Sequence, residues 1–312
     1  MCAKATVAVI DIGSNSIKLL VARPGSKTGS IETVFTKTIE TRISTGISKQ
    51  KPHLTKDAME AGCRAISNLV KAAQSYQPAT TKIVATSAVR DATNAREFTK
   101  LVEKATGLEI EILSGTEEAA YICKGLICDP QLSNIENFIQ MDIGGGSLEL
   151  IHFARNKVKK VCSLQLGAVR LTEKFVTDQT TALSAEIETK IRNHVETTLN
   201  ASNFDFKTDS YPFIATGGAI IITRAMLAAQ NHKNIQETSP VLQKKEIMEL
   251  KSQLVKLPLE ERKNFPLLPT TRADIIPAAL ITILTVLDHA NRDTIIHSFY
   301  NLRYGIAANL YT

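Results

Sequence analysis

One short pattern occurs twice in this chain, as Val9-Ile10-Asp11-Ile12-Gly13-Ser14-Asn15-Ser16 and as Gln140-Met141-Asp142-Ile143-Gly144-Gly145-Gly146-Ser147, with the two acids 131 positions apart (142 less 11). In each copy an apolar strand ends in an acid and turns through small residues. It then leaves as a second apolar alternation, Ile17, Leu19 and Val21 in one copy and Leu148 and Leu150 in the other. Backbone without bulky side chains can aim consecutive N–H groups at an anion, and glycine reaches the positive φ values that such a nest calls for. An acid beside it suits the divalent cation that accompanies phosphate, because hard cations take carboxylate oxygen. Two copies predict two similar half-molecules serving one phosphate-bearing ligand, with Gly13, Ser14, Asn15, Ser16, Gly144, Gly145, Gly146 and Ser147 as phosphate contacts and Asp11 and Asp142 as cation ligands.

Strand, Asp, Gly and turn also describe an ordinary hairpin, and it is the recurrence in the same context that favours phosphate. The familiar helix-opening phosphate loops are absent: there is no Gly-x-x-x-x-Gly-Lys-Ser and no Gly-x-Gly-x-x-Gly.

At 312 residues the chain is long enough for two domains, each with its own core. Its 37 basic and 31 acidic residues give a net charge of +6, which suits an anionic substrate but is too small and dispersed for nucleic acid. Arg155, Lys157, Lys159 and Lys160 form the densest basic cluster and read as a solvated strand or turn. There is no Trp, and Tyr and Phe do not interleave with basic residues, so no single-strand stacking platform is expected. The run Ala5–Ile10 is too short for a signal peptide, and Ile275–Leu287, interrupted by Pro277 and bracketed by Asp274 and Asp288, reads as a buried helix. Five cysteines without Cys-x-x-Cys spacing read as reduced thiols, and together these features predict a cytoplasmic protein with no membrane partner. The six scattered histidines give no zinc motif.

Strands are expected at 7–10, 17–22, 31–39, 83–86, 108–113, 138–142, 148–153, 158–166 and 213–215. Thr55 and Ser184 read as helix caps, Asn94-x-x-Glu97 as a capping box, and Gly107 as a helix stop. Ser114-x-x-Glu117 fits a second capping box, which assigns Glu117 to the helix start and leaves Glu118 in the first turn as a candidate general base. A first-turn Glu favoured by the helix dipole is the plainer alternative. Arg90, between a strand end and a helix start, can hold phosphate oxygens bidentately or pair with Asp91 or Glu97. Thr216-Gly217-Gly218 is a third small-residue turn, at a helix N-terminus where anions are favoured.

These segments, with Thr86-Ser87-Ala88-Val89-Arg90, Gly167-Ala168-Val169-Arg170-Leu171-Thr172-Glu173, Arg272-Ala273-Asp274-Ile275-Ile276-Pro277 and Leu302-Arg303-Tyr304-Gly305 in order along the chain, resemble the exopolyphosphatase and guanosine pentaphosphate phosphohydrolase family over essentially its whole length. The resemblance implies an α/β, actin-like ATPase superfold: two ribonuclease-H-like domains, 1–116 with 300–312 and 117–299, flanking a cleft, without the further helical domain of long members. It implies that Glu118 is the base, that Asp142 and Glu149 hold Mg²⁺ and position water, and that Arg90, both loops and Thr216-Gly217-Gly218 bind the terminal phosphates. The implied reaction is release of orthophosphate from inorganic polyphosphate. Guanosine pentaphosphate is the alternative substrate, and an actin-like-fold kinase or a non-catalytic polyphosphate or alarmone sensor the more distant alternatives; a homodimer is left open. Two departures stand out: Ser147-Leu148-Glu149 where the family has Ser-Thr-Glu, and Pro277-Ala278-Ala279 where it has Pro-Gly-Gly or Pro-Ala-Gly. The segment 302–310 is expected to pack back on the first domain.

Overall fold

The computed structural model describes residues 5–26, 29–132, 134–155, 157–206 and 211–311. By internal contacts the chain divides into unit 1, residues 1–135 with 300–312, and unit 2, residues 136–299.

Unit 1 opens with β1 (Val7–Ile12), β2 (Ser16–Pro24) and β3 (Ile31–Glu40), continues through α1 (Lys56–Gln74), β4 (Thr80–Ala85), α2 (Ser87–Arg90), α3 (Ala95–Thr106) and β5 (Ile110–Ile112), and ends its first pass with α4 (Gly115–Ile127). The sheet order is β3-β2-β1-β4-β5. β1 runs antiparallel to β2 and parallel to β4. All six residues of β1 are buried, as a central strand covered on both faces requires, whereas β3 at the edge is largely exposed.

Unit 2 repeats the plan with β6 (Phe138–Ile143), β7 (Leu148–Ala154) and β8 (Lys157–Leu164), then α5 (Ala168–Phe175), α6 (Ala185–Ala201), β9 (Phe213–Thr216) and α7 (Gly218–Gln230). β10 (Val241–Gln243), α8 (Lys244–Leu254), α9 (Leu259–Lys263), α10 (Ile276–His289) and β11 (Thr294–His297) complete it, in a sheet of order β10-β11-β9-β6-β7-β8. As in unit 1, an antiparallel three-strand meander is joined to parallel strands through its first member. In α10 every residue from Ile276 to Leu287 is buried, so the long apolar stretch is a core helix. The chain then returns to unit 1 as α11 (Leu302–Asn309), which packs on α4, β1 and β2 as expected for the tail.

Sequence reading placed the division at 116/117, in the first turn of α4; by contacts the whole of α4 lies with α11 in unit 1. The caps at Thr55 and Ser184 and the left-handed stop at Gly107 are present. The capping box expected at Asn94 is not. Its side chain instead clamps the Leu54 backbone, accepting from the N–H and donating to the carbonyl at 2.9 Å each, which removes it from the α3 terminus. The basic cluster lies at the sheet edge, with Lys157 and Lys159 exposed on β8. Cys63, Cys123, Cys128 and Cys162 are free thiols, and among the described residues no helix is long and apolar enough to cross a membrane.

Candidate functional site

The two hairpins close identically. Gly13 N–H donates to Ser16 O at 3.1 Å, and Gly144 N–H donates to Ser147 O at 3.0 Å, leaving Ile12 opposite Ile17 and Ile143 opposite Leu148. None of these loop glycines has a positive φ; among the described glycines that property belongs to Gly29, Gly46, Gly107 and Gly217. The expectation of a positive-φ nest in the hairpins is therefore corrected, and what organises the loops is how their carbonyls are held.

In unit 2 the carbonyl of Gly144 accepts from Ala168 N–H, that of Gly145 from Val169 and Arg170 N–H, and that of Gly146 from Arg170 Nε at 2.8 Å. A trans peptide points its N–H opposite to its carbonyl, so the N–H groups of Gly145, Gly146 and Ser147 face away from α5. Three consecutive donors turned the same way make an anion concavity. The helix start comes this close because residue 167 is glycine, since a Cβ there would lie 2.4 Å from the Gly145 and Gly146 backbone.

In unit 1 the support comes from the segment after β3. Ser14 O accepts from Ser44 N–H, and Asn15 O accepts from Thr41 and Arg42 N–H, which turns the Asn15 and Ser16 N–H groups outward. The Asn15 side chain is part of this support: Nδ2 donates to Glu40 at 2.6 Å and Oδ1 accepts from Arg42 Nε at 2.9 Å. Ser14 Oγ lies 3.1 Å from Ser87 Oγ, tying the loop to α2.

The charges beside the loops differ. In unit 2 Asp142 lies directly opposite Glu149, so two carboxylates share one face of the sheet, with Glu149 almost fully buried. Thr216 hydroxyl donates to Asp142, Gln140 Nε2 donates to Thr216 Oγ1 at 2.9 Å, and Ser163 hydroxyl donates to Glu149 at 2.8 Å. In unit 1 Asp11 lies opposite Lys18. α11 contributes the buried Arg303, whose Nη1 donates to Leu19 O at 3.2 Å. Burial lowers the Arg303 guanidinium from its ordinary value, and the Asp11 carboxylate opposes that shift.

Like charges directly opposite on a sheet destabilise it, and a cation between them removes the penalty. The Asp142–Glu149 pair therefore fits Mg²⁺, which is commonly held by one or two carboxylates with substrate phosphates and water completing its shell. Among the described residues no group of three or more His, Cys, Asp or Glu is placed to hold a metal without such help.

Unit 1 also brings Arg90 to Glu118. Arg90 Nη1 donates to Glu118 at 2.9 Å and to Leu113 O at 3.0 Å, while Nε is 3.6 Å from Asp91. Glu118 is buried in the first turn of α4, whereas Glu117 closes the expected capping box with Ser114 and has its carboxyl lowered by those hydrogen bonds. The Arg90–Glu118 ion pair gives the buried carboxylate one fixed orientation.

At the third turn, Gly217 has φ 100°, and a Cβ there would lie 2.6 Å from Ile143 O and 2.8 Å from Asp142 Oδ1. A Cβ on Gly218 would meet Arg272 Nη1 at 2.4 Å, so a guanidinium rests on the start of α7. Gln140, Ser163 and Arg272 were not singled out as site residues from the sequence. The first two depend on cross-strand register, and Arg272 on a contact spanning more than 50 residues.

The match to the Ppx/GppA phosphatase family extends over residues 20–311, most of the chain. The chain belongs to that family. It is 30% identical over 304 residues to the bifunctional 3-dehydroquinate synthase/phosphatase of Fusobacterium nucleatum, covering 93% of this chain and 44% of that protein, so it spans less than half of that relative's length. Among solved structures it is similar to the Aquifex aeolicus Ppx-GppA enzyme, at 27% identity, a TM-score of 0.78 and coverage of 98% of this chain and 100% of that one. An exopolyphosphatase from Cytophaga hutchinsonii, at 24% identity and a TM-score of 0.85 over 98% and 97% of the two chains, shares the fold. The fold is the actin-like ATPase type, with a ribonuclease-H-like sheet and helices in each unit, as the family resemblance implied.

Proposed function

We propose that this chain hydrolyses the terminal phosphoanhydride of inorganic polyphosphate, releasing orthophosphate, with Mg²⁺ held by Asp142 and Glu149. The observation that carries the reading is the outward-turned donor row of the Gly144–Ser147 loop beside that carboxylate pair: an anion concavity adjoining two acids. Bound Mg²⁺ supplies charge neutralisation of the reacting phosphoryl group. The loop N–H groups, Gly217-Gly218 at the start of α7 and the Arg272 guanidinium hold phosphate oxygens. Glu118, fixed by Arg90, accepts a proton from the attacking water, so that the nucleophile is aligned as well as activated. Asp11, beside Lys18 and Arg303, acts as an anchor for the first loop.

Family membership and the Aquifex aeolicus similarity support the reaction class. Guanosine pentaphosphate, which presents the same terminal anhydride, is the second substrate reading. Orthophosphate release from short polyphosphate, long polyphosphate, guanosine pentaphosphate and ATP, each with and without Mg²⁺, tests the proposal. Mg²⁺-dependent release from polyphosphate exceeding that from guanosine pentaphosphate and from ATP supports it. Release from ATP alone, or none from any substrate, overturns it.

A further inference from the structure

Four residues in unit 2 form one row across adjacent strands, in the order Thr216 (β9), Asp142 (β6), Glu149 (β7), Ser163 (β8). Residues paired in register point their side chains to the same face, so two hydroxyls flank two carboxylates. Each hydroxyl donates to the acid beside it, Thr216 to Asp142 Oδ2 and Ser163 to Glu149 Oε1. Thr216 has one proton, and Gln140 Nε2, donating to Oγ1 from a fully buried position, occupies the acceptor side of that oxygen and directs the proton to Asp142.

The equivalent row in unit 1 is Val84 (β4), Asp11 (β1), Lys18 (β2), Thr38 (β3). There the first acid has a valine on one side and a lysine on the other. The repeat thus provides an internal control: the flanking pair of carboxylate-directed hydroxyls occurs in the row that contains two acids and not in the row whose acid faces a built-in cation. A purely structural use of Ser or Thr at these strand positions has no reason to follow the charge of the neighbouring strand.

We propose that Thr216 and Ser163 are positioning residues of the cation site: each binds one oxygen of its carboxylate, fixing the rotation of Asp142 and Glu149 so that both present oxygen to a single divalent ion. The inference rests on the reading of the Asp142–Glu149 pair as that site. Outer-shell hydrogen bonds to metal-binding carboxylates are typically worth about 10–100-fold in metal affinity.

The test is Mg²⁺ binding to the full chain, measured by isothermal titration without substrate, for the parent, Ser163→Ala, Thr216→Val, Ser163→Thr and Asp142→Asn. The expected result is about 10-fold or greater weakening in Ser163→Ala and in Thr216→Val, recovery in Ser163→Thr, and return of Ser163→Ala activity as Mg²⁺ is raised. Ser163 lies on an edge strand, so Ser163→Ala carries the test where Thr216→Val does not fold. Unchanged affinity in both hydroxyl variants, with binding weakened in Asp142→Asn, overturns this inference alone. Unchanged affinity in Asp142→Asn overturns the cation reading beneath it. A raised KM for polyphosphate in Ser163→Ala with unaltered Mg²⁺ affinity also overturns the inference, because the hydroxyl then contacts substrate.

Discussion

The hairpin of unit 1 and the hairpin of unit 2 share strand order, loop length and closing hydrogen bond, yet they surround their acids with opposite charge. Asp11 faces Lys18 and senses Arg303, whereas Asp142 faces Glu149. The loops are also supported differently, by a backbone segment and an Asn15 side chain in unit 1 and by a helix N-terminus in unit 2. The backbone fixes where N–H groups point, and under the proposed function the residue across the ladder decides whether the adjoining acid serves as an anchor or as a cation ligand.

The largest effect is expected in unit 1. Glu118→Gln should lower kcat by about two to four orders of magnitude, the usual worth of a positioned general base, with the fold retained. Glu117→Gln, which keeps a side chain able to close the capping box, should leave kcat within severalfold. Steady-state kinetics on both variants breaks the assignment if their ranking reverses.

Copying unit 1 into unit 2 is the next test. Glu149→Lys recreates the Asp11–Lys18 arrangement beside Asp142 and should abolish Mg²⁺ stimulation of phosphate release. A variant that still responds to Mg²⁺ like the parent removes Glu149 from the cation site.

Loop support separates the halves by smaller amounts. Gly167→Ala forces a methyl group into the Gly145–Gly146 backbone and should destabilise the protein by about 1–3 kcal/mol, seen as a lowered Tm. Asn15→Ala, which removes the side-chain link between Glu40 and Arg42, should cost about 1–2 kcal/mol. Equal tolerance of both changes contradicts the proposed supports.

The last effect concerns acid. Burial, with Arg224 adding to it, pushes the His297 imidazole of unit 2 down to about 3, while Arg224 Nη1 donates to its Nδ1 at 3.0 Å. The folded state holds this ring neutral, and the unfolded chain takes up a proton below about pH 6.5. Stability is therefore retained above that pH and declines as pH falls from about 6.5 toward 3, by at most about 1.4 kcal/mol per pH unit from this group. Chemical denaturation of the parent and of His297→Gln at pH 7 and 5 checks the sign: the variant should lose less stability on acidification.

Much of this was legible in the sequence where the signal is local. The paired loops, the Ser114–Glu117 box and the buried α10 depend on short-range periodicity and capping, and they appear as expected. Asn94 shows where local reading stops, since its side chain is claimed by Leu54, 40 residues earlier in the chain. The short strands β10 and β11 went unrecognised because three or four residues carry little periodicity, and β11 acquires its place only by pairing with β9. The candidate site could be proposed from the sequence as a set of loops and acids. The contrast between Lys18 and Glu149 and the places of Ser163 and Arg272 could not, because they follow from register and from contacts between distant segments.

The most direct test of the central claim is the Mg²⁺ binding isotherm of Asp142→Asn set beside that of Asp11→Asn, both as folded full chains. The charge arrangement predicts at least about tenfold weaker binding in Asp142→Asn and affinity unchanged from the parent in Asp11→Asn. Equal weakening in the two variants, or weakening confined to Asp11→Asn, contradicts it.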